Sequence, residues 1–287
     1  MYHPNFYPNV SLKRNHTHLR MTDVLYILGS TRSGTSALRN GLGNTRYRGF
    51  GEGHLVPILD DIVRAVRTHR IDGLGARTPG NGLFELRESV LIRHLFHGYE
   101  NYLATVLESQ SVMDKTPTIT PIRLAPDLNR FHQTPYFIHC ARRHVDNIQS
   151  KLKKFPDRTV QQHCQEWAAC NATWLDVKEH LDGNYLAFDF YELVTDQEGT
   201  SRRIGEYLGL DEGEIAALAE YLISQRPQGA TDRDLTQFLK LSEMEWAAQE
   251  KEDFVEICGP VGERLGYGLE DYYATPQQPA VTDPRED

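Results

Sequence analysis

The sequence predicts a single α/β domain with a mostly parallel central sheet and helices on both of its faces. Short, continuous apolar runs such as VLYIL at 24–28 recur along the chain, and amphipathic stretches with helical spacing follow them. Continuous apolar runs are typical of strands buried on both faces, and their alternation with helices indicates parallel pairing. No internal repeat or linker divides the 287 residues. A chain of this length buries about three quarters of its unfolded surface in one core.

The elements follow from the periodicity of apolar residues. Strands are predicted at 24–28, 47–50, 111–114, 136–140 and 185–190. Helices are predicted at 36–42, 55–68, 84–108, 145–154, 160–181, 201–208, 212–223 and 243–265. Pro117 and Pro121 are expected to break the chain after the third strand. The glycine-rich stretch 72–82 is either a mobile segment near a binding cleft or a solvated connection.

The domain is expected to span residues 22–274. Residues 1–21 resemble a loose extension, and the polar, proline-rich residues 275–287 resemble a frayed tail.

The N-terminus has no apolar signal region, and no run of about 18 apolar residues predicts a membrane span. The four cysteines have neither disulfide-framework nor zinc spacing, so we expect reduced thiols, no metal and a cytoplasmic location.

The charge balance restricts the partners of the protein. Forty acidic against 31 basic residues give a net charge of -9. A field of this sign repels nucleic acids and anionic membranes, so neither is expected as a partner. An anionic ligand has to be held by a local cluster of basic residues.

The segment after the first strand predicts a phosphate-binding turn. It reads GSTRSGTS at 29–36 and leads directly into a helix. Glycines allow backbone N–H groups to point into one concavity, the helix N-terminus adds partial positive charge, and hydroxyl groups donate further hydrogen bonds to an oxyanion. The spacing is GxxxxG, but the lysine of a Walker A loop is absent and the cation is Arg32 instead.

RSGTS at 32–36 resembles the 5'-phosphosulfate loop of sulfotransferases that use 3'-phosphoadenosine 5'-phosphosulfate (PAPS). The resemblance implies that Arg32, Ser33, Gly34, Thr35 and Ser36 bind this group. A second match is RRHVDNIQS after the strand YFIHC, where Arg142 and Ser150 correspond to the 3'-phosphate signature of the family. A guanidinium at the end of a strand and a hydroxyl about two helical turns later can also converge on one phosphate. Nearby lysines, Lys151 and Lys154 among them, make the region basic, although a run of lysines on a helix is usually an exposed, solvated face.

Two weaker matches extend the resemblance to about residues 22–268. FDFYELVTD resembles a family strand followed by YEDL, which implies that Tyr191 lies near the adenine; the alternative is that Tyr191 packs at a strand end. MDKTP at 113–117 resembles the EKTP segment, which implies that Lys115 lies near the transferred sulfuryl group. The C-terminal ICGPVGERLGY is similar to the end of many bacterial members.

The sequence departs from the small-phenol branch of the family at two positions. Ala37 replaces a tryptophan that stacks on adenine, and Pro117 replaces the catalytic histidine. The base therefore has to come from elsewhere. Glu52 in GFGEGHLVPIL matches the glutamate of the heparan and, more closely, the tyrosylprotein branches, and its flanking glycines would let a carboxylate approach a substrate hydroxyl. His54 is the competing candidate, because an imidazole titrates near neutral pH.

These observations predict a sulfotransferase that moves the sulfuryl group of PAPS to a hydroxyl or amine and releases adenosine 3',5'-bisphosphate. Glu52, Arg32 and Lys115 are the expected catalytic residues. A P-loop kinase or NTPase is one alternative, and a non-catalytic nucleotide-binding protein is another. The acceptor remains open between a small molecule, a glycan, a lipid and a peptide, and the oligomeric state between a monomer and a homodimer.

Overall fold

The computed structural model describes residues 22–72, 87–225 and 237–274. The strands of the described part are β1 (Asp23–Leu28), β2 (Arg48–Gly49), β3 (Ser111–Lys115), β4 (Thr134–Ala141) and β5 (Leu186–Asp189). They form one parallel sheet in the order β2-β3-β1-β4-β5. Since all strands point the same way, their carboxyl ends meet at one edge, where the predicted site residues follow β1, β2, β3, β4 and β5.

The helices of the described part surround this sheet. They are α1 (Thr35–Leu42), α2 (Val56–Asp72), α3 (Glu88–Val106), α4 (Ile119–Phe131), α5 (His144–Lys154), α6 (Val160–Val177), α7 (Phe190–Thr195), α8 (Gln197–Leu208), α9 (Glu212–Ser224) and α10 (Ala248–Arg264). Short 3-10 helices cover Lys178–Leu181 and Leu241–Glu243.

Alternate residues of β1 enter two different cores. Val24 and Tyr26 pack in a cluster with residues of α2, α3 and α4, whereas Leu25 and Ile27 pack with α1, α8 and α9. Every side chain from Val24 to Leu28 is buried. The central strand is therefore covered on both faces, which explains its continuous apolar sequence and confirms the predicted α/β class.

The sequence predicts no helix between the third and fourth strands, where Pro117 and Pro121 are expected to break the chain, but α4 lies there. The chain turns after Pro117, but Pro121 lies in the first turn of α4, where a proline removes no intrahelical hydrogen bond. Pro126 lies further inside the same helix. The buried side chains of α4 carry it past this second proline through contacts with the core, which local sequence signals do not reveal.

Two other boundaries differ because of local hydrogen bonds. The strand predicted at 185–190 ends at Asp189, whose carboxylate accepts from the backbone N–H of Tyr191 while the Glu192 side chain accepts from the N–H of Asp189. This capping box begins α7. The helix predicted at 243–265 begins only at Ala248. Most of the stretch 72–82 lies outside the described residues, as do the predicted extension 1–21 and the tail 275–287.

Cys140, Cys164, Cys170 and Cys258 are buried, free thiols. None of the helices in the three described ranges is both long and apolar enough to cross a membrane.

Candidate active site

The turn between β1 and α1 needs glycine at two positions. Gly29 has φ +146°, and a Cβ there would lie 2.5 Å from the carbonyl oxygen of Cys140 on β4. Gly34 has φ +93°, and a Cβ would lie 2.7 Å from the Phe190 ring. Both are left-handed conformations that side chains rarely adopt, so the loop packs too tightly against β4 and α7 for any other residue.

Hydrogen bonds from α5 fix the interior of this loop. Ser30 and Ser33 share a bond of 2.9 Å between their Oγ atoms. Nδ2 of Asn147 donates to the carbonyl oxygen of Thr31 and to Oγ of Ser33, each at 3.1 Å. Arg32, which lies between Thr31 and Ser33, has φ +71°. A non-glycine residue in this region is strained and persists only where the surroundings hold it, as they do here.

The N-terminus of α1 opens from this loop. Gly34 is the N-cap residue and provides no side-chain cap to the first turn of the helix. The first backbone N–H groups of a helix lack intrahelical partners and attract anions. Thr35 and Ser36 add two hydroxyl groups to the same turn. The local arrangement suits an oxyanion.

The arginines of the two predicted phosphate sites meet at the loop. Nε of Arg32 donates to Oγ of Ser150 at 3.0 Å. Arg142 donates to the carbonyl oxygen of Arg32 at 3.2 Å, and its guanidinium lies 4.3 Å above the centre of the Phe190 ring. Nε1 of Trp167 on α6 donates to the carbonyl oxygen of Arg142 at 3.0 Å. The structure thus brings Arg32, Arg142 and Ser150 together, although they come from three different elements.

A second group of side chains lies where β2 and β3 end. Nζ of Lys115 donates to Oε1 of Glu52 at 2.7 Å, and Nε2 of His54 lies 3.0 Å from Oε2 of the same carboxylate. Both proposed bases are therefore in one cluster. Lys115, through this hydrogen bond, lowers the pKa of Glu52 below its ordinary value, which favours the ionised carboxylate that can accept a proton.

The backbone around Glu52 is fixed by the end of β3. The Gly53 N–H donates to the carbonyl oxygen of Lys115 at 3.2 Å, and the His54 N–H donates to Oγ1 of Thr116 at 2.9 Å. Thr116 in turn donates to Oδ1 of Asp114 at 2.9 Å. Burial raises the pKa of Asp114 to about 6. His54 has φ +50°, another strained residue that its neighbours hold in place.

Tyr191 lies in the first turn of α7, just after β5, and packs against the segment that follows α10. Its ring centre is 4.8 Å from that of Tyr272, and the Tyr272 hydroxyl donates to Oδ1 of the buried Asp189 at 2.6 Å. Tyr267 donates to the other oxygen of Asp189. Packing at the strand end, one of the two interpretations of Tyr191, therefore describes its surroundings, and adenine contact stays a prediction.

Comparisons with known proteins identify the family of the chain. The sequence profile described as "Sulfotransferase family" matches residues 25–214, which is more than half of the chain. The chain belongs to the sulfotransferase family. A comparison with curated proteins gave no match.

Solved structures agree with the sulfotransferase fold at low sequence identity. The sulfotransferase domain of the Synechococcus PCC 7002 olefin synthase has a TM-score of 0.56 and 20% identity, over 88% of this chain and 97% of that chain. Sulfotransferase STF9 from Mycobacterium avium has a TM-score of 0.52 and 14% identity, over 86% of this chain and 76% of that chain.

In this sulfotransferase a core residue occupies the position of the tryptophan of the small-phenol branch. Ala37 is buried in the core cluster that contains Leu25 and Ile27. A side chain at this position points into the core. Within the described ranges, no three His, Cys, Asp or Glu side chains are placed to hold a metal ion.

The sequence interpretation missed three buried polar residues within the segment 142–151. Asn147 holds the loop, and Arg143, next to Arg142, is fully buried and donates to the carbonyl oxygens of Gly268 and Leu269. Lys151, which was expected among exposed lysines, is fully buried. Its position three residues after the buried Ile148 places it on the apolar face of α5, a helical signal that the basic composition concealed.

Proposed function

We propose that the protein transfers the sulfuryl group of PAPS to a hydroxyl or amine of an acceptor, with Glu52 as the general base. The observation that carries the proposal is the contact of Glu52 with Lys115, formed beside a loop that is suited to an oxyanion. A protein that only binds nucleotides needs neither group. A Walker-type kinase would need a lysine that the loop lacks.

The two anionic ends of PAPS have separate sets of partners in this proposal. Arg32, the hydroxyls of Ser33, Thr35 and Ser36, and the N–H groups from Gly34 onward would bind the 5'-phosphosulfate. Arg142 and Ser150 would bind the 3'-phosphate, and Tyr191 would contact the adenine. Guanidinium groups bind phosphate through charge-assisted hydrogen bonds, which are among the strongest that a protein forms.

The reaction is written as an in-line transfer. The acceptor oxygen or nitrogen forms a bond to sulfur while the bond from sulfur to the bridging phosphate oxygen breaks. The electron pair of that bond leaves with adenosine 3',5'-bisphosphate, and the acceptor proton moves to Glu52. Protonation of Glu52 weakens its ion pair with Lys115, so the ammonium can stabilise charge on the transferred group. No metal takes part.

A small molecule, a glycan, a lipid and a peptide remain candidate acceptors, because substrate loops vary within one fold. We also propose a cytoplasmic location. The oligomeric state, monomer or homodimer, is left to sedimentation measurements.

Thermal unfolding with two ligands tests the donor. Adenosine 3',5'-bisphosphate at a hundred times its Kd should stabilise the protein by about 2.7 kcal/mol, whereas ATP with magnesium should stabilise it far less. Preference for ATP with magnesium would favour the kinase alternative. Incubation with radiolabelled PAPS and a metabolite extract then tests transfer. Binding without any labelled product would favour the non-catalytic alternative.

A further inference from the structure

The phosphate loop has an anchor that the proposed reaction does not use. Thr31, the residue before Arg32, donates through Oγ1 to Oε1 of Glu166 on α6 at 2.7 Å. The two residues are 135 positions apart in the sequence. Oγ1 also lies 3.3 Å from the carbonyl oxygen of Pro117. A hydroxyl has one proton, so the shorter contact to the charged acceptor is the effective hydrogen bond.

The same carboxylate is the counterion of a buried lysine. Nζ of Lys151 lies 3.3 Å from Oε1 of Glu166, and its side chain is fully buried. Burial lowers the pKa of Lys151, and the negative charge of Glu166 opposes this effect. The other oxygen, Oε2, accepts from Arg158 at 3.1 Å on the exposed side. A buried ammonium without a counterion is strongly destabilising, and this requirement holds Glu166 in position.

The backbone of Thr31 is held independently, because Asn147 donates to its carbonyl oxygen at 3.1 Å. Asn147 and Lys151 lie one turn apart on α5. The residue next to Glu166 on α6, Trp167, holds the carbonyl oxygen of Arg142. Helices α5 and α6 therefore fix both the loop and the adjoining phosphate-site arginine from outside the ligand site.

We infer that Glu166, held by the buried Lys151, is a positioning residue that fixes the phosphosulfate loop through the hydroxyl of Thr31. In this inference Glu166 has no direct contact with the donor or the acceptor. It acts through Thr31 on the strained backbone of Arg32. The inference rests on the proposed function for its effect on PAPS binding, but the loop geometry can be tested without a ligand.

Hydrogen exchange of the ligand-free protein is the first test. Thr31→Val keeps the shape of the side chain and removes the hydroxyl, so backbone amides of residues 30–36 should exchange about tenfold faster. Thr31→Ser retains a hydroxyl and should restore slow exchange. Glu166→Gln, the second variant, removes the charge of Glu166. Its matched control is Asp176→Asn, because Asp176 lies on the same helix in an exposed ion pair with Arg264. It should leave exchange in the loop unchanged.

Ligand binding is the second test. Thr31→Val should weaken adenosine 3',5'-bisphosphate binding by about tenfold and raise the KM for PAPS more than it lowers kcat. In a Lys151→Met background, Thr31→Val combined with Glu166→Ala should weaken binding no more than the stronger of these two single substitutions, because alanine removes the acceptor of the Thr31 hydroxyl. Glu166→Gln alone leaves a buried charge unpaired and can unfold the protein. The pair Lys151→Met and Glu166→Gln removes both charges, keeps an acceptor for Thr31 and should bind better than Glu166→Gln alone.

The outcomes separate the inference from the proposed function. Unchanged loop exchange in Thr31→Val overturns the inference, whether or not the ligand binds. Independent, additive effects of the two substitutions also overturn it. Wild-type protein that does not bind adenosine 3',5'-bisphosphate argues against the proposed function, and the exchange experiment then decides the inference alone.

Discussion

Nζ of Lys115 lies 2.7 Å from Oε1 of Glu52, yet the two side chains differ greatly in exposure: 2% for the lysine and 48% for the glutamate. The ammonium approaches the carboxylate from the protein side. The carboxylate is about half exposed, and its second oxygen contacts the exposed His54. In the proposed reaction the buried cation would keep this carboxylate ionised, and this geometry carries the first prediction.

Glu52→Gln should separate catalysis from binding. The amide keeps the size of the side chain but cannot accept a proton, so kcat should fall by about 10² to 10⁴ while the Kd for adenosine 3',5'-bisphosphate changes little. Steady-state kinetics and calorimetric titration measure the two effects. Turnover near the wild-type rate would transfer the role to His54 or remove the need for a base, and His54→Asn distinguishes these two cases.

Arg142→Ala should weaken binding of adenosine 3',5'-bisphosphate by roughly thirty- to a hundredfold and binding of the 5'-monophosphate much less. Only the former carries the 3'-phosphate that Arg142 and Ser150 would hold. Calorimetric titration of both ligands measures the ratio. Equal losses would indicate that Arg142 acts on the loop backbone, through its contact with Arg32, and not on the 3'-phosphate.

The glycines beside Glu52 should differ in their tolerance of alanine. A Cβ at Gly53 would lie 1.9 Å from Oδ2 of the buried Asp114, whereas a Cβ at Gly51 meets nothing within 4 Å. Gly53→Ala should therefore lower the free energy of unfolding by about 1 to 3 kcal/mol and reduce transfer activity at least about tenfold. Gly51→Ala is the matched control and should change little. Denaturant titration and kinetics that give the same result for both variants would refute the packing argument.

Stability should fall as the pH drops from 7 to 5. Burial lowers the pKa of His139 and of His144 from 6.5 to about 3, so both stay neutral in the native state and become protonated on unfolding below pH 6.5. Each costs roughly 2 kcal/mol of stability over this interval. Asp114 and Asp189, whose pKa values burial raises to about 6, act in the opposite direction by roughly 1 kcal/mol each. The histidines dominate, and the burial-lowered pKa of His132 adds to them.

A single substitution isolates one of these histidines. His139 stacks on Trp174 with a ring distance of 4.3 Å, and its Nε2 has no hydrogen-bond partner in the described structure. His139→Phe keeps the stacking and removes the titration, so the slope of unfolding free energy against pH should decrease by about 1.4 kcal/mol per pH unit below pH 6. The exposed His94 provides a control, His94→Gln, that should keep the wild-type slope. An unaltered slope in His139→Phe would show that His139 does not titrate on unfolding.

The sequence by itself determined the class of the fold, the positions of the five strands along the chain and the glycine-rich turn after β1. These features are encoded by neighbouring residues: VLYIL requires two covered faces, and the glycines of GSTRSGTS permit the positive φ values of the turn. The resemblance of RSGTS also pointed to the family that the sequence profile confirmed. The whole of α4 was missed, because its two prolines indicate a break and only core contacts show that the helix continues past them.

Only the tertiary structure decided which side chains share the site. Glu52 and His54 are rival candidate bases in the sequence. Packing of the β2 end against β3 places the Glu52 carboxylate between Lys115 and His54, with one oxygen in contact with each. The burial of Lys151 and its pairing with Glu166 depend on how α5 and α6 pack. Such contacts join residues far apart in the chain, and their free energy depends on burial and counterions that exist only after the core has formed. Composition and periodicity describe one segment at a time and carry no information on these pairings.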